Sequence, residues 1–221
     1  MTINVKHALD KISNNEIFKE ELYFVGGTAL AYYLNHRISE DIDIVSATTL
    51  PYKKIIPSIT TLGATKLQDE SVTALRMAGL FPDEYMIKFV LGNIKIEFFQ
   101  ANRPIQKVIL SQSTFKNFEN SQLKMLDLKS VAKLKIVALI MREKSRDLFD
   151  FGAILENDIF NKDELVNIFS QVNSKIISVD EIINFIKNKT ESKNDEAVYL
   201  SEHNRIDLSF EEIKNRVIKQ L

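Results

Sequence analysis

Two aspartates one residue apart, Asp41 and Asp43, follow a Gly26-Gly27-Thr28 step by a helix-length interval in FVGGTALAYYLNHRISEDIDIV, residues 24–45. Acidic and β-branched residues alternate across EDIDIVS, so a period of two puts Asp41 and Asp43 on one face of a strand and Ile42 and Ile44 on the other. Paired carboxylates on one face suit a hard cation such as magnesium, which takes oxygen ligands and is shared between one or two carboxylates and the phosphates of a nucleotide. Glycines between an apolar run and a helix let the backbone approach a ligand closely. The first amides of that helix form a natural phosphate site, to which the Thr28 hydroxyl can add. On residue types alone, a glycine pair also serves an ordinary turn and an Asp-x-Asp pair a solvated strand face.

The elements that must position these groups are readable on either side. ELYFVGG reads as a strand ended by glycines and TALAYYLN as the helix that follows. TTLPYKKIIPSITTLG predicts a helix with Pro51 near its start and Gly63 past its end, kinked or divided at Pro57. EYMIKFVLGNIKIEFF predicts two strands joined by a two-residue turn at Gly92-Asn93, with Lys95, Glu97 and Phe99 on one face of the second. From Leu126 the pattern turns helical, and LDLKSVAKLKIVALIMREKSRDLFDFGAILEN holds one long apolar-rich stretch or two helices in sequence. Capping signatures at Asn161 with Glu164, Ser178 with Glu181 and Ser209 with Glu212 each precede apolar residues at helical spacing. KNKTESKNDEA, residues 187–197, is expected to be an exposed loop. The change of pattern predicts two domains, residues 1–120 and 121–221.

Composition sets bounds. The 221 residues are 45% hydrophobic and 27% charged, as in a soluble globular chain. A formal charge of -1 gives no global attraction to nucleic acid, so a polyanion must be met by a local patch. The lack of cysteine excludes disulfide frameworks and thiolate metal sites. No apolar run reaches bilayer length and the N-terminal MTINVKHALDKISNN lacks the apolar core of a signal peptide, so a cytoplasmic location without a membrane partner is expected. His7, His36 and His203 lack metal-ligand spacing, and His36 reads as a helix-end or supporting residue. Neither a P-loop nor a kinase signature occurs. With no tryptophan, and with Phe and Tyr mostly at core spacing, no base-stacking platform stands out.

The local patch lies further on. Between Lys124 and Arg146, seven basic residues stand against two acidic ones, a surplus that a polyanion would match. On one continuous helix at about 100° per residue, Lys135, Arg142 and Arg146 fall within roughly 40° of one another. Arg146 and Asp150 also have the i, i+4 spacing of an ordinary surface pair. Lys135 sits in an apolar run, where a charge needs a reason.

Taken in order, GGTAL and HRISEDIDI resemble the opening motif of the nucleotidyltransferase superfamily, and more narrowly its AbiEii/AbiGii toxin branch. KIVALIMREKSRDLFDF is similar to that branch's later signature, carried here by Lys135, Ala138, Leu139, Arg142, Arg146, Asp147 and Asp150. In one departure, Gly27-Thr28 stands where the superfamily often has Gly-Ser, which keeps the hydroxyl. The resemblance implies an α/β (α+β) architecture, a nucleotidyltransferase fold with a mixed sheet followed by a helical bundle. It implies a polymerase-β-like reaction in which an acceptor hydroxyl attacks the α-phosphate of an NTP and pyrophosphate leaves. Two magnesium ions about 3.5–4 Å apart would clamp the attacking and leaving oxygens. Asp41 and Asp43 would be metal ligands, with Glu97 the third carboxylate, a position that a surface glutamate beside Lys95 fills equally well. Gly26, Gly27 and Thr28 would hold phosphates, with Arg142 and Arg146 adding positive charge. Lys135 would neutralise the triphosphate, and Asp147 would orient it or meet the acceptor. RNA such as tRNA is the expected acceptor, and a separately encoded antitoxin the expected partner, as for the toxin of a type IV toxin–antitoxin or phage-defence pair. The rival is a catalytically inactive nucleotide- or nucleic-acid-binding protein of the same fold, against which Asp41, Asp43 and Lys135 all stand intact.

Overall fold

In the computed structural model, which describes residues 1–68, 77, 79–192, 198–201, 204–205 and 208–221, the chain divides into two compact units. One comprises residues 1–29 and 39–127, the other residues 30–38 and 128–221.

The first unit is built on a seven-stranded mixed sheet in the order β3-β4-β5-β2-β1-β7-β6. The strands are β1 (Tyr23–Val25), β2 (Ile42–Ser46), β3 (Thr65–Lys66), β4 (Met86–Leu91), β5 (Ile94–Gln100), β6 (Phe115–Asn117) and β7 (Lys124–Leu126). Strand β2 lies between β1, to which it is antiparallel, and β5, to which it is parallel. The period of two runs through β5 and the start of β2: Ile42, Ile44, Ile96 and Phe98 are fully buried and Asp43, Lys95 and Glu97 are half-buried, while at the end of β2 Val45 and Ser46 are buried as well. β4 and β5 form the expected hairpin, with Gly92 at φ 63 supplying the left-handed turn conformation. The core packs Phe18 and Phe89 against Phe98, and helices α1 (Ile3–Ile12), α3 (Tyr52–Thr61) and α4 (Pro104–Gln112) bury apolar residues in this unit.

Helix α3 runs through Pro57 undivided. Pro57 removes the donor for the Lys53 carbonyl, but both residues lie on the exposed side, where water can replace the missing bond. Thr60 and Thr61 hydroxyls also donate to the Pro57 carbonyl, at 3.2 and 2.7 Å.

Helix α2 (Gly26–Leu34) continues directly from β1. The second unit is helical, with α5 (Leu128–Met141), α6 (Ser145–Glu156), α7 (Lys162–Asn173), α8 (Val179–Lys187) and α9 (Phe210–Gln220), plus a short pairing of β8 (Tyr199–Ser201) with β9 (Asn204–Arg205). All three capping boxes form: the amides of Glu164, Glu181 and Glu212 donate to the side chains of Asn161, Ser178 and Ser209, and each glutamate accepts in return. Phe169 lies between Phe151 and Phe185 in the core of this unit. No helix among the described residues is long and apolar enough to cross a membrane.

Of the two alternatives for the basic stretch, two helices in sequence is the one found: α5 ends at Met141 and α6 starts at Ser145, so the stripe of Lys135, Arg142 and Arg146 that a continuous helix would make does not form. The break is held by Lys189, whose ammonium donates to the Arg142 carbonyl at 3.0 Å and to Glu143 at 3.1 Å. In the exposed loop expected at residues 187–197, Lys187, Asn188, Thr190 and Glu191 are exposed as expected and Lys189 is the exception. Lys189 is buried and lies over the Phe185 ring, while residues 193–197 and His203 lie outside the described residues.

Candidate active site

At the junction of β1 and α2 the chain turns through Gly26, whose φ of 80 suits glycine alone among the common residues. Val25 is the antiparallel partner of Asp43. A Cβ placed on Gly26 would fall far inside van der Waals contact with the Asp43 carboxylate. Two physical demands therefore meet at one position, a left-handed backbone and an empty side-chain volume under Asp43. Gly26→Ala is expected to cost about 2 kcal/mol, from the positive φ together with displacement of Asp43. A lowered urea midpoint at unchanged m-value would register it; a midpoint equal to wild type would refute the close approach.

Thr28 is fully buried, and its hydroxyl donates to the main-chain carbonyl of Asp41. The hydroxyl thus ties the first turn of α2 to the residue that enters β2. Gly27 is buried beside it. Asp41 immediately precedes β2, and Asp43 lies within it, opposite Glu97 of β5 in the parallel register. Glu97 in turn faces Lys88 across β4. Its carboxylate accepts from Lys95 at 2.6 Å and lies 3.5 Å from Lys88. Burial works against the Lys95 charge, but Glu97, with Asp41 and Asp43 adding to it, outweighs burial and holds the ammonium above its ordinary pKa.

The donor set fits a divalent cation of the magnesium type. Asp41 and Asp43 are oxygen donors two residues apart, and the cradle at Gly26 leaves room for a carboxylate against the start of a helix. Among the described residues no three His, Asp or Glu side chains cluster closely enough to form a closed cage. Magnesium does not need one, because it keeps waters and takes its remaining ligands from substrate phosphates.

The second unit carries a separate charged cluster, centred on α6. Asp150 is fully buried. Arg37 grips it in a two-point pair, Nε to Oδ1 at 2.6 Å and Nη2 to Oδ2 at 3.0 Å. His36 Nε2 lies 2.7 Å from Oδ1, and Lys135 Nζ lies 2.7 Å from Oδ2. Asp147, almost equally buried, accepts from Arg142 at 2.5 and 2.9 Å and lies 3.4 Å from Lys135. Burial alone would raise both aspartate pKa values. For Asp150 the Arg37 and Lys135 charges and the His36 and Arg37 hydrogen bonds win, and its pKa is held well below the carboxylate range. For Asp147 the Arg142 hydrogen bond and the Lys135 and Arg142 charges win, and the pKa is lowered. The ion pair of Asp150 is thus with Arg37 and Lys135, and Lys135 has its reason in an apolar helix. Of the cluster's cations Arg142 is the one half in solvent, with 50% of its side chain exposed.

The sequence model of the AbiEii nucleotidyltransferase toxin, a type IV toxin–antitoxin component, matches residues 7–206. The chain belongs to the AbiEii family. As an AbiEii protein it is a nucleotidyltransferase, and its mixed α/β architecture agrees with that of solved relatives. It is similar to MenT4, a nucleotidyltransferase toxin from Mycobacterium tuberculosis H37Rv, with a TM-score of 0.55 and 13% identity over 98% of this chain and 81% of that one. It is similar also to JHP933 from Helicobacter pylori, with a TM-score of 0.51 and 16% identity over 99% and 89% of the two chains. At such identities the likeness is one of fold. No curated protein matches the sequence.

Within this AbiEii chain the structure brings Gly26, Gly27, Thr28, Asp41, Asp43 and Glu97 together on the first unit, and Lys135, Arg142, Asp147 and Asp150 on the second. Arg146 opens α6 beside Asp147. Sequence reasoning missed Arg37, and it treated Lys95 only as a neighbour of Glu97. A signal for Arg37 was present: an Asp in an apolar helical run calls for a buried cation.

Proposed function

We propose that this AbiEii protein transfers a nucleoside monophosphate from an NTP to an acceptor hydroxyl on RNA, tRNA being the leading candidate, in a magnesium-dependent reaction. The observation that carries the reading is the approach of Asp43 to the side-chain-free Gly26 at the start of α2, with Asp41 two residues away. A glycine there serves a carboxylate and a phosphate at once. Magnesium, when bound, supplies charge neutralisation and Lewis acidity at the phosphates. Asp41 and Asp43 would hold it, with Glu97 as the third carboxylate. The main-chain amides at Gly26, Gly27 and Thr28 receive phosphate oxygens, while the Thr28 hydroxyl keeps the strand in register with the helix. In the transfer, a bond forms between the acceptor oxygen and the α-phosphorus. The bond from the α-phosphorus to the bridging oxygen of the β-phosphate breaks, pyrophosphate leaves with that electron pair, and the acceptor proton passes to solvent.

In the second unit, Lys135 and Asp147 are positioning residues, since each is buried against the other's network, and the half-exposed Arg142, with Arg146, contributes charge toward a phosphate backbone. A separately encoded antitoxin is the protein partner that the type IV class implies.

The test offers each radiolabelled NTP in turn with tRNA, total RNA and protein as acceptors. Label is expected on RNA. Arg142→Ala should lower RNA affinity about tenfold while changing NTP affinity less, and the RNA affinity should fall with salt at a slope reflecting only a few phosphates. Label on protein alone, with no RNA affinity at low salt, would exclude an RNA acceptor and make protein modification the reaction.

A further inference from the structure

The carboxylate row on the first unit contains its own cation. Strand pairing sets Lys88, Glu97 and Asp43 side by side on β4, β5 and β2. Lys95 precedes Glu97 by two residues on the same face, and its ammonium lies 2.6 Å from the Glu97 carboxylate. Asp43 stands next to Glu97 in the strand register, so the ammonium bonded to Glu97 is held beside a row of two acidic residues. Glu97 is only 19% exposed and has a second lysine, Lys88, at 3.5 Å. Glu97 therefore leans on lysines, and among the described residues no three acidic or imidazole groups cluster as a metal cage.

We propose that Lys95, backed by Lys88, is a built-in counter-ion that stands in for the divalent cation, so that the protein binds metal weakly by itself and tightly only together with a nucleotide. This rests on the reading of Asp41 and Asp43 as metal ligands. The reasoning is electrostatic. Carboxylates gathered on one sheet face repel one another unless a positive charge lies among them. A bare divalent ion that enters the row meets the ammonium as a like charge, a repulsion that solvent screens in part because the Lys95 side chain is 38% exposed. A metal ion arriving with a triphosphate does not pay this penalty in full, because the phosphates give the lysine a new anionic partner. Metal and nucleotide then strengthen each other's binding, a reciprocal coupling between two ligands of one site. Glu97 is released toward the metal at the moment its lysine is drawn to phosphate.

Manganese titration followed by electron paramagnetic resonance reads this directly, without any turnover. Wild type, Lys95→Met, Lys88→Met and Asp43→Asn are each titrated with and without a non-hydrolysable NTP analogue. Lys95→Met is expected to bind manganese about tenfold more tightly than wild type in the absence of nucleotide, and to show a smaller gain when nucleotide is added. Lys88→Met should show the same changes at about twofold, since it lies farther from Glu97. Lys95→Gln, also uncharged but polar, repeats the measurement should the methionine variant fail to fold. Unchanged or weaker manganese binding in the folded Lys95 variants would overturn the counter-ion role while leaving the metal site standing. Should Asp43→Asn bind manganese with nucleotide as well as wild type does, the metal assignment itself falls, and the counter-ion with it.

Discussion

Asp43→Asn is expected to lower nucleotidyl transfer about 10³-fold or more while leaving the fold intact. Loss of one preorganised charged or hydrogen-bonding group from a reaction centre costs about 10²–10³ in rate, and a metal ligand stands at the upper end of that range. The substitution keeps the size and shape of the side chain, so the packing over Gly26 is preserved. It removes a negative charge opposite Glu97 in the parallel register, so repulsion falls and stability should be equal or slightly raised. Asp41→Asn should behave in the same way, because the Thr28 hydroxyl bonds to the main-chain carbonyl of residue 41 and not to its carboxylate. Transfer rates and magnesium-dependent NTP affinity, measured beside urea midpoints, separate the effects. If both variants keep wild-type magnesium–nucleotide affinity, Asp41 and Asp43 are not the metal ligands.

The parts of this site that were legible in the sequence are those fixed by neighbours in the chain. The strand carrying Asp43 was readable from its alternation, Gly92-Asn93 set the hairpin that carries Glu97, and Ser or Asn three residues before Glu marked three helix starts. What was not legible depends on partners far away in the chain. Arg37 and Asp150 are 113 residues apart, and no local pattern says which buried acid meets which cation. The break between α5 and α6 carries neither glycine nor proline; it is fastened by Lys189, 47 residues beyond Arg142. At Pro57 the helix was not divided, because the position is exposed and water can take up the carbonyl freed by the missing donor. Lys95 could be placed on a face with Glu97 but not beside the strand of Asp43, because that requires knowing that β2 and β5 run parallel and side by side.

Asp150→Asn is expected to destabilise the second unit by about 3–5 kcal/mol, the cost of removing one partner from a buried ion pair. The carboxylate is fully buried and is the shared acceptor for Arg37, His36 and Lys135, and Asp147, which shares Lys135 with it, is itself occupied by Arg142. An amide in its place offers one acceptor and no charge, which leaves a buried guanidinium and ammonium facing each other. The loss should depend on pH in a direction fixed by the pKa. Burial pushes the carboxyl up from its ordinary value of 3.8, but Arg37, Lys135 and His36 hold it well below. A depressed folded-state pKa means that the stabilisation is fully present above the unfolded value and is lost as pH falls from there through the folded one. The stability gap between wild type and Asp150→Asn should therefore be flat from about pH 7 to about pH 5. Below about pH 4 it should narrow by about 1.4 kcal/mol per pH unit. Urea unfolding of both proteins across that range tests it. A gap that stays constant down to about pH 3 would mean that Asp150 gains nothing from ionising, and that the Arg37 and Lys135 contacts are hydrogen bonds without net charge stabilisation.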